Sequence, residues 1–384
     1  MGAADNKPIK KKVLFLLEGF DKGGIEKVTL DIVNNLDPEK YDITVQTFWY
    51  GGHCQSLVHE NVRVIPFFFR RYVRGVIRLI QYLPPKMLYT LFVHGKYDVE
   101  IAASDGGAAK VISGSTNRNA RKICWVHMDV VARGSKLPEF RNADTARHIY
   151  EKFDQISCVS ANCLQRFIKK FGRYPCMNTA HNPIPTEEIR KKAEETNPYA
   201  EEEEIIRFVS VGRLAVEKGY DRLTEAAYRL CQSGFRNFKV HIIGDGEQKE
   251  KLHAIIQKYR LEDTVILEGF SANPYPYVKN ADFFICSSTD EAYPLAVGES
   301  MFLGTPVLAT DCSGTREWLG DSVYGMLTEN STDALYKGMK MILSDPGKMI
   351  RKWTEAAAIK TESMAMASQM DTWTAMIFDG ENCI

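Results

Sequence analysis

The chain contains no Asp-x-Asp, no Cys-x-x-Cys and no G-x-G-x-x-G. The first absence removes the usual carboxylate pair for a catalytic cation, and the second removes the commonest spacing for bound zinc. The third tells against a dinucleotide-binding dehydrogenase, whose phosphate loop needs those glycines. No apolar run is long enough to span a bilayer. Residues 10–17 begin like a leader segment, but the apolar part is short and no small-residue cleavage site follows. The nine cysteines are an odd number without a pairing pattern, so reduced thiols and a cytoplasmic protein are expected. Net charge is also missing, since 49 basic side chains match 49 acidic ones. The balance hides a division. Residues 1–180 hold 27 basic and 17 acidic side chains, and residues 181–384 hold 22 and 32, so the halves carry +10 and −10. The basic half is expected to face something anionic.

What is present is ordinary globular material with a clear rhythm. A length of 384 residues suggests two domains, and 45% hydrophobic residues suffice for their cores. Residues 12–17 read as a buried strand. A glycine-containing loop follows, then a helix with Ile25, Val28, Ile32 and Leu36 on one face. Further strands are expected near 43–48, 62–65, 99–103, 122–126 and 155–159. A second series is expected near 205–211, 239–243, 265–267, 283–286, 306–309 and 324–327. Strands alternating with helices imply parallel sheets covered on both faces. The fold class expected is α/β, with two doubly wound Rossmann-like domains facing a central cleft. The acidic stretch 187–204 lacks a core pattern and reads as the linker. The domains are accordingly 1–185 and 186–345, followed by a helical segment, 346–384, long enough to return to the first domain.

The chemistry concentrates in residues 282–299. Phe283 to Cys286 form a strand, Thr289 and Asp290 a turn, and Pro294 suits a helix start. The amides of Leu295 and Ala296 then fall in a first turn that offers them no partner, where an anion is welcome. Glu291 in the loop and Glu299 on the helix add carboxylates for hydroxyl groups. One segment thus supplies what a nucleotide-sugar needs. Arg213 directly follows a strand and Lys218 opens the next helix. Two cations at a strand's carboxyl end can hold a diphosphate and stabilise it as it leaves.

Taken in order, Gly212-Arg213-Leu214, Glu217-Lys218-Gly219, Gly244-Asp245-Gly246, Glu268-Gly269-Phe270 and Glu291-x7-Glu299 resemble the retaining GT-B glycosyltransferases of family GT4, the glycosyl transferases group 1. The opening Gly23-Gly24-Ile25-Glu26-Lys27 is similar to that family's Gly-Gly-Ala-Glu-Arg loop. The resemblance is strong over 205–320 and thinner over 60–150. It implies that Arg213 and Lys218 bind the donor diphosphate, Glu291 the donor sugar and Glu299 the ribose. Gly23, Gly24, Leu295 and Ala296 would approach the phosphates, Gly212 and Gly244 would be further donor-binding positions, and Glu268, Gly269 and Phe270 would border the base. His127 matches the family's histidine near the reacting carbon, and Asp105, at another strand end, is a candidate for orienting the acceptor. The implied reaction moves a sugar from a UDP-linked donor to a carbohydrate acceptor, free or lipid-linked. It would run without metal or other cofactor and with no protein nucleophile.

Three departures stand out. Glu291-Ala292-Tyr293-Pro294 replaces the family's Glu-Gly-Phe-Gly, and Ser313-Gly-Thr-Arg-Glu317 replaces Gly-Gly-x-Pro-Glu. Residues 362–378 lack the usual aromatic ending. Separately, residues 67–96 hold six basic side chains and no acid. Arg70, Arg71, Arg74 and Arg78 lie beside an apolar stripe, which suits either an anionic membrane surface or a core helix. Nucleic acid is the less economical partner for this patch. An epimerase on the same scaffold and a silent binding subunit are the rival readings. The retained Arg213, Lys218, Glu291 and Glu299 speak against the latter.

Overall fold

The computed structural model describes residues 10–20, 23–49, 55–69, 81–127, 140–199, 205–362, 366–379 and 383. The chain divides into two compact units, residues 1–183 with 369–384, and residues 184–368.

The first unit carries β1 (Lys11–Leu17), α1 (Gly24–Asn35), β2 (Tyr41–Trp49), β3 (Arg63–Phe69) and α2 (Pro85–Phe92). It continues through β4 (Val99–Ala102), α3 (Gly107–Ile112), β5 (Arg121–Val126) and α4 (Ala143–Tyr150). It closes with β6 (Gln155–Cys158), α5 (Ala161–Phe171) and β7 (Met177–Thr179). All strand pairs are parallel, in the order β3-β2-β1-β4-β5-β6-β7. β1 sits mid-sheet with helices on both sides, and Val13, Leu14, Phe15, Leu16 and Leu17 are all buried. That is why its sequence is a continuous apolar run rather than an alternating one.

The second unit opens with α6 (Thr186–Ala193), inside the stretch read as linker. Only Thr186, Ile189 and Ala193 of it are buried. Three small or isolated contacts on an otherwise charged helix leave little apolar period to read. Then come β8 (Ile206–Val211), α7 (Tyr220–Gln232), β9 (Phe238–Ile243), α8 (Lys249–Tyr259), β10 (Val265–Gly269), α9 (Tyr275–Lys279) and β11 (Phe283–Cys286). They are followed by α10 (Leu295–Phe302), β12 (Val307–Thr310), α11 (Thr315–Leu319), β13 (Met326–Thr328), α12 (Thr332–Ser344) and α13 (Pro346–Thr361). The parallel order is β10-β9-β8-β11-β12-β13.

The segment 346–384 is not one body. Trp353 of α13 joins the core of the second unit, whereas residues 369–384 count with the first. There Trp373 packs 6.3 Å from Phe15 and 5.3 Å from Trp125, ring to ring. Phe378 lies 4.8 Å from Tyr41. Gln155 Nε2 and Asn178 Nδ2 donate to Met376 O at 2.7 and 2.9 Å. Trp373 and Phe378 therefore supply aromatic anchoring despite the divergent ending. Cys176 and Cys383 form a disulfide, with Cα atoms 4.9 Å apart, which corrects the all-reduced expectation for this pair. They are 207 residues apart in sequence, and only the return of the C-terminal segment brings them together. No described helix is long and apolar enough to cross a membrane. Of the basic stretch, Arg70, Arg71, Arg74 and Arg78 lie outside the described residues. Its later part, α2, buries Leu88, Tyr89 and Phe92 and exposes Met87 and Leu91.

Candidate active site

The strand order reverses between β1 and β4 in the first sheet and between β8 and β11 in the second. Ligands of open parallel sheets bind beyond the carboxyl ends of such a strand pair. In the second unit β8 delivers Gly212, Arg213 and Lys218 to that position, and β11 delivers Ser287, Ser288 and Glu291.

The two loops are tied together locally. Val216–Lys218 form a single 3-10 turn that ends on Gly219 at φ 63°. A Cβ at Gly219 would stand 2.3 Å from Ser287 O, so only glycine allows both the left-handed backbone and the contact. Ser287 Oγ donates to Lys218 O at 2.8 Å, and Thr289 N donates to Glu217 O at 2.7 Å. Lys218 Nζ donates to Glu291 Oε1, which also accepts from Ser288 Oγ at 2.9 Å. The pair is mostly covered, with side chains 27% and 15% exposed. Burial by itself would make Lys218 easier to deprotonate, but the adjacent Glu291 carboxylate outweighs it and raises its pKa. Lys218 is thus a fixed ammonium. The stem of Lys218 lies over Gly212, where a Cβ would come 3.5 Å from its Cε.

Arg213 is placed differently. Its side chain is 62% exposed, and Nη2 donates to Glu217 Oε1 at 2.8 Å. An exposed pair of this kind is worth about 0.2–1 kcal/mol, so an arriving diphosphate could draw the guanidinium away.

The loop before α10 is clamped by residues that depart from the family pattern. Gly314 N and Ser313 Oγ donate to Glu291 O at 2.6 and 2.8 Å. A Cβ on Gly314 would stand 2.6 Å from both Ala292 C and Pro294 Cδ. Tyr293 packs 5.0 Å from the Trp318 ring. Ser313-Gly314 and Ala292-Tyr293-Pro294 are therefore one packed unit that holds the Glu291 backbone. Pro294 is the N-cap of α10, and Leu295 and Ala296 begin it, so their amides lie in its first turn. Glu299, on the same helix, is 9% exposed and accepts from the Tyr275 hydroxyl at 3.3 Å.

Three glycines draw neighbouring strand ends together. Gly244, at φ 155°, would place a Cβ 1.9 Å from Gly212 O. Its N–H donates to Gly269 O at 2.7 Å. Glu268 is engaged from inside, accepting from His241 Nδ1 at 2.7 Å. Phe270 beyond it is 53% exposed.

Arg222 is a residue that the motif reading missed. Its Nη2 donates to Ser287 O at 2.5 Å and Ser288 O at 3.2 Å. Its Nη1 donates to Asn330 Oδ1 at 2.7 Å, and Asn330 Nδ2 donates to Thr289 O at 2.9 Å. Arg222 thus braces the Glu291 loop from α7. The available signal was its position one helical turn after Lys218.

The remaining candidates belong to the first unit. Gly23 is the N-cap of α1 and Gly24 its first residue. His127 directly follows β5, is 9% exposed and lies 4.1 Å from the Trp125 ring. Burial lowers its pKa to about 3, so the imidazole is neutral near pH 7. Among the described residues nothing hydrogen-bonds its Nε2. Asp105 follows β4 and is 3% exposed, and its backbone O accepts from Tyr150 Oη at 2.9 Å. The helix cap after it is Gly106, so Asp105 does not hold the capping position of α3.

The model of the family described as glycosyl transferases group 1 matches residues 191–360. A diphospho-undecaprenol-linked sugar 4-alpha-N-acetylgalactosaminyltransferase of Campylobacter jejuni is 34% identical over 201 residues, covering 51% of this chain and 53% of the relative. The chain thus spans about half the length of that relative. The lipopolysaccharide 1,6-galactosyltransferase of Escherichia coli is 26% identical over 341 residues, covering 82% of this chain and 84% of the relative. Anabaena HepE, solved in complex with UDP and glucose, superposes with a TM-score of 0.77 at 20% identity, covering 94% of this chain and 97% of that one. This likeness identifies the fold as GT-B.

Proposed function

For a chain that carries a glycosyl transferases group 1 domain over residues 191–360 on a GT-B fold, we propose transfer of a sugar from a UDP-linked donor to a carbohydrate acceptor, with retention of anomeric configuration. The observation that carries this reading is the Lys218–Glu291 pair at the β8/β11 switch point, with the Leu295 and Ala296 amides beginning the helix that follows. Lys218 and Arg213 take the diphosphate and stabilise its charge as the bond breaks. The amides of Leu295 and Ala296 receive phosphate oxygens. Glu291, once Lys218 turns to the phosphate, accepts from hydroxyls of the donor sugar, and Glu299 accepts from the ribose. Gly23, Gly24, Gly212 and Gly244 let backbone approach the phosphates, and Gly269 and Phe270 border the base. The cations replace a metal ion. The acceptor attacks on the face the diphosphate leaves, with His127 contacting a sugar hydroxyl and Asp105 orienting the acceptor. The Campylobacter relative's name supports a lipid-linked acceptor. The excess positive charge of residues 1–180 supports docking on an anionic membrane surface from the cytoplasm.

The test is a panel of nucleotide-sugars, followed for nucleotide release with and without lipid-linked and free oligosaccharides, with excess EDTA in a parallel series. The expected result is acceptor-dependent release of UDP that survives EDTA and yields a product of unchanged anomeric configuration. An inverted product would overturn retention. Loss in EDTA restored by Mg²⁺ or Mn²⁺ would overturn metal independence. An absence of release from every donor would overturn the transferase reading.

A further inference from the structure

Lys110 is the only lysine or arginine among the described residues that is buried, at 3% exposure. It stands in the middle of α3, all of whose other residues are buried as well. An alanine or leucine would pack there without desolvating a charge. The Lys110 ammonium spends one proton on Gln81 O, at 2.6 Å. No carboxylate among the described residues pairs with it. The charge that acts on it is another cation, Arg141, and the groups the two cations rest on, Gln81 and Tyr82, are consecutive residues. Arg141 has no acidic partner among the described residues either, and its guanidinium rests 5.2 Å from the Tyr82 ring centroid. A buried cation without a counter-charge is costly, and a second cation beside it adds repulsion. An anion bound beside the two would supply the missing counter-charge.

The position narrows the ligand. α3 starts just after the carboxyl end of β4, and Arg141 lies between β5 and α4. Tyr150 of α4 is pinned to Asp105 O at the end of β4. Lys110 and Arg141 therefore lie on the carboxyl-end side of the first sheet, the side that carries His127 and Asp105. Two positive charges suit a phosphoryl group, whose oxygens can take the two remaining Lys110 protons and the guanidinium edge together. A carboxylate would leave one of the charges unbalanced.

We propose that Lys110 and Arg141 form a subsite for a phosphoryl group carried by the acceptor; this rests on the glycosyltransferase reading for the word acceptor, and on the geometry alone for the anion. Burial first, and Arg141 second, lower the Lys110 pKa to about 8, the response expected of a cation awaiting its counter-ion. A purely structural role is the competitor. The Gln81 carbonyl alone would fix where the Lys110 ammonium points. That accounts for the direction of Lys110 but not for Arg141.

The experiment is calorimetric titration of the whole chain, first saturated with UDP so that the donor site is filled, with inorganic pyrophosphate. Wild type is expected to bind pyrophosphate. Lys110→Met and Arg141→Gln should each weaken that binding at least tenfold while leaving UDP affinity unchanged. Equal pyrophosphate affinity in wild type and the variants, or no binding by wild type, would overturn the subsite. Arg141 is exposed, so its variant carries the test if Lys110→Met does not fold. Failure of wild type to bind UDP would instead strike the donor reading, and the pyrophosphate titration would still decide the subsite. Farnesyl diphosphate and a sugar 1-phosphate, titrated in parallel, separate the sources of the phosphoryl group. Tighter binding of the former assigns a lipid carrier, and tighter binding of the latter a soluble phosphorylated sugar.

Discussion

Lys218 and Glu291 hold each other, so each can be asked whether it serves the fold or the reaction. Replacing Lys218 by Met leaves the Glu291 carboxylate covered, with only Ser288 Oγ on the same oxygen. Breaking a fully buried pair costs about 3–5 kcal/mol. Here the side chains retain 27% and 15% exposure, so a loss of about 2–3 kcal/mol is expected, read as a lower urea midpoint. Glu291→Met should cost a similar amount. The double variant removes both charges, and a well-packed apolar pair is close to neutral, so it should return to within about 1 kcal/mol of wild type. Turnover should behave otherwise. If Lys218 stabilises the departing diphosphate, its loss lowers kcat by about 10²–10³, and the double variant recovers none of it. Urea denaturation and nucleotide release measured on the same four proteins separate the two effects. Recovery of turnover together with stability in the double variant would refute the assignment and leave the pair as a structural brace.

Other expectations can be tested separately. Glu299→Ala should weaken UDP by about 10–100-fold, the worth of a hydrogen bond to a charged acceptor; calorimetry giving equal affinity would remove the ribose role. Arg222→Lys keeps the charge but cannot reach Ser287 O, Ser288 O and Asn330 Oδ1 together. It should lower kcat by about tenfold with UDP affinity unchanged, and an unchanged kcat would deny Arg222 its positioning role. His127, held neutral by burial with its pKa lowered to about 3, binds fewer protons folded than unfolded below its ordinary range. Its contribution to stability is therefore full above about pH 6.5 and is lost as pH falls towards 3, by up to about 1.4 kcal/mol per pH unit. Thermal unfolding of His127→Gln across that window should show a shallower decline; identical slopes would mean that the imidazole protonates as freely in the fold as outside it.

Much of this protein is decided locally, and what is local is legible. Val13 to Leu17 and Phe283 to Cys286 are apolar runs because their strands are buried on both faces, and that follows from residue type alone. The motifs proposed for donor binding are also local, since Gly219, Lys218, Glu291 and Glu299 each sit within a few residues of a strand end or helix start. Gly212 and Gly244 were legible as glycines, but their reason is tertiary, because a Cβ on Gly244 would strike Gly212 O and one on Gly212 would crowd Tyr220 Oη and the Lys218 stem. Arg222 was missed because its partners are 65 and more residues away and two of them are backbone carbonyl oxygens, which leave no mark on side-chain spacing. The helix Thr186–Ala193 was read as linker because too few of its residues are buried to set a period.

Sequence by itself determined the alternation of strand and helix, and hence parallel sheets with candidate residues at their strand ends, because those depend on hydrophobic period and on the turn chemistry of single residues. The strand orders, the pairing of Lys218 with Glu291 and of Arg213 with Glu217, the disulfide between Cys176 and Cys383, and the isolation of Lys110 among apolar neighbours were settled only in three dimensions. Each depends on which distant segments come to lie side by side, and a side chain carries no local trace of a neighbour chosen by the packing of whole sheets.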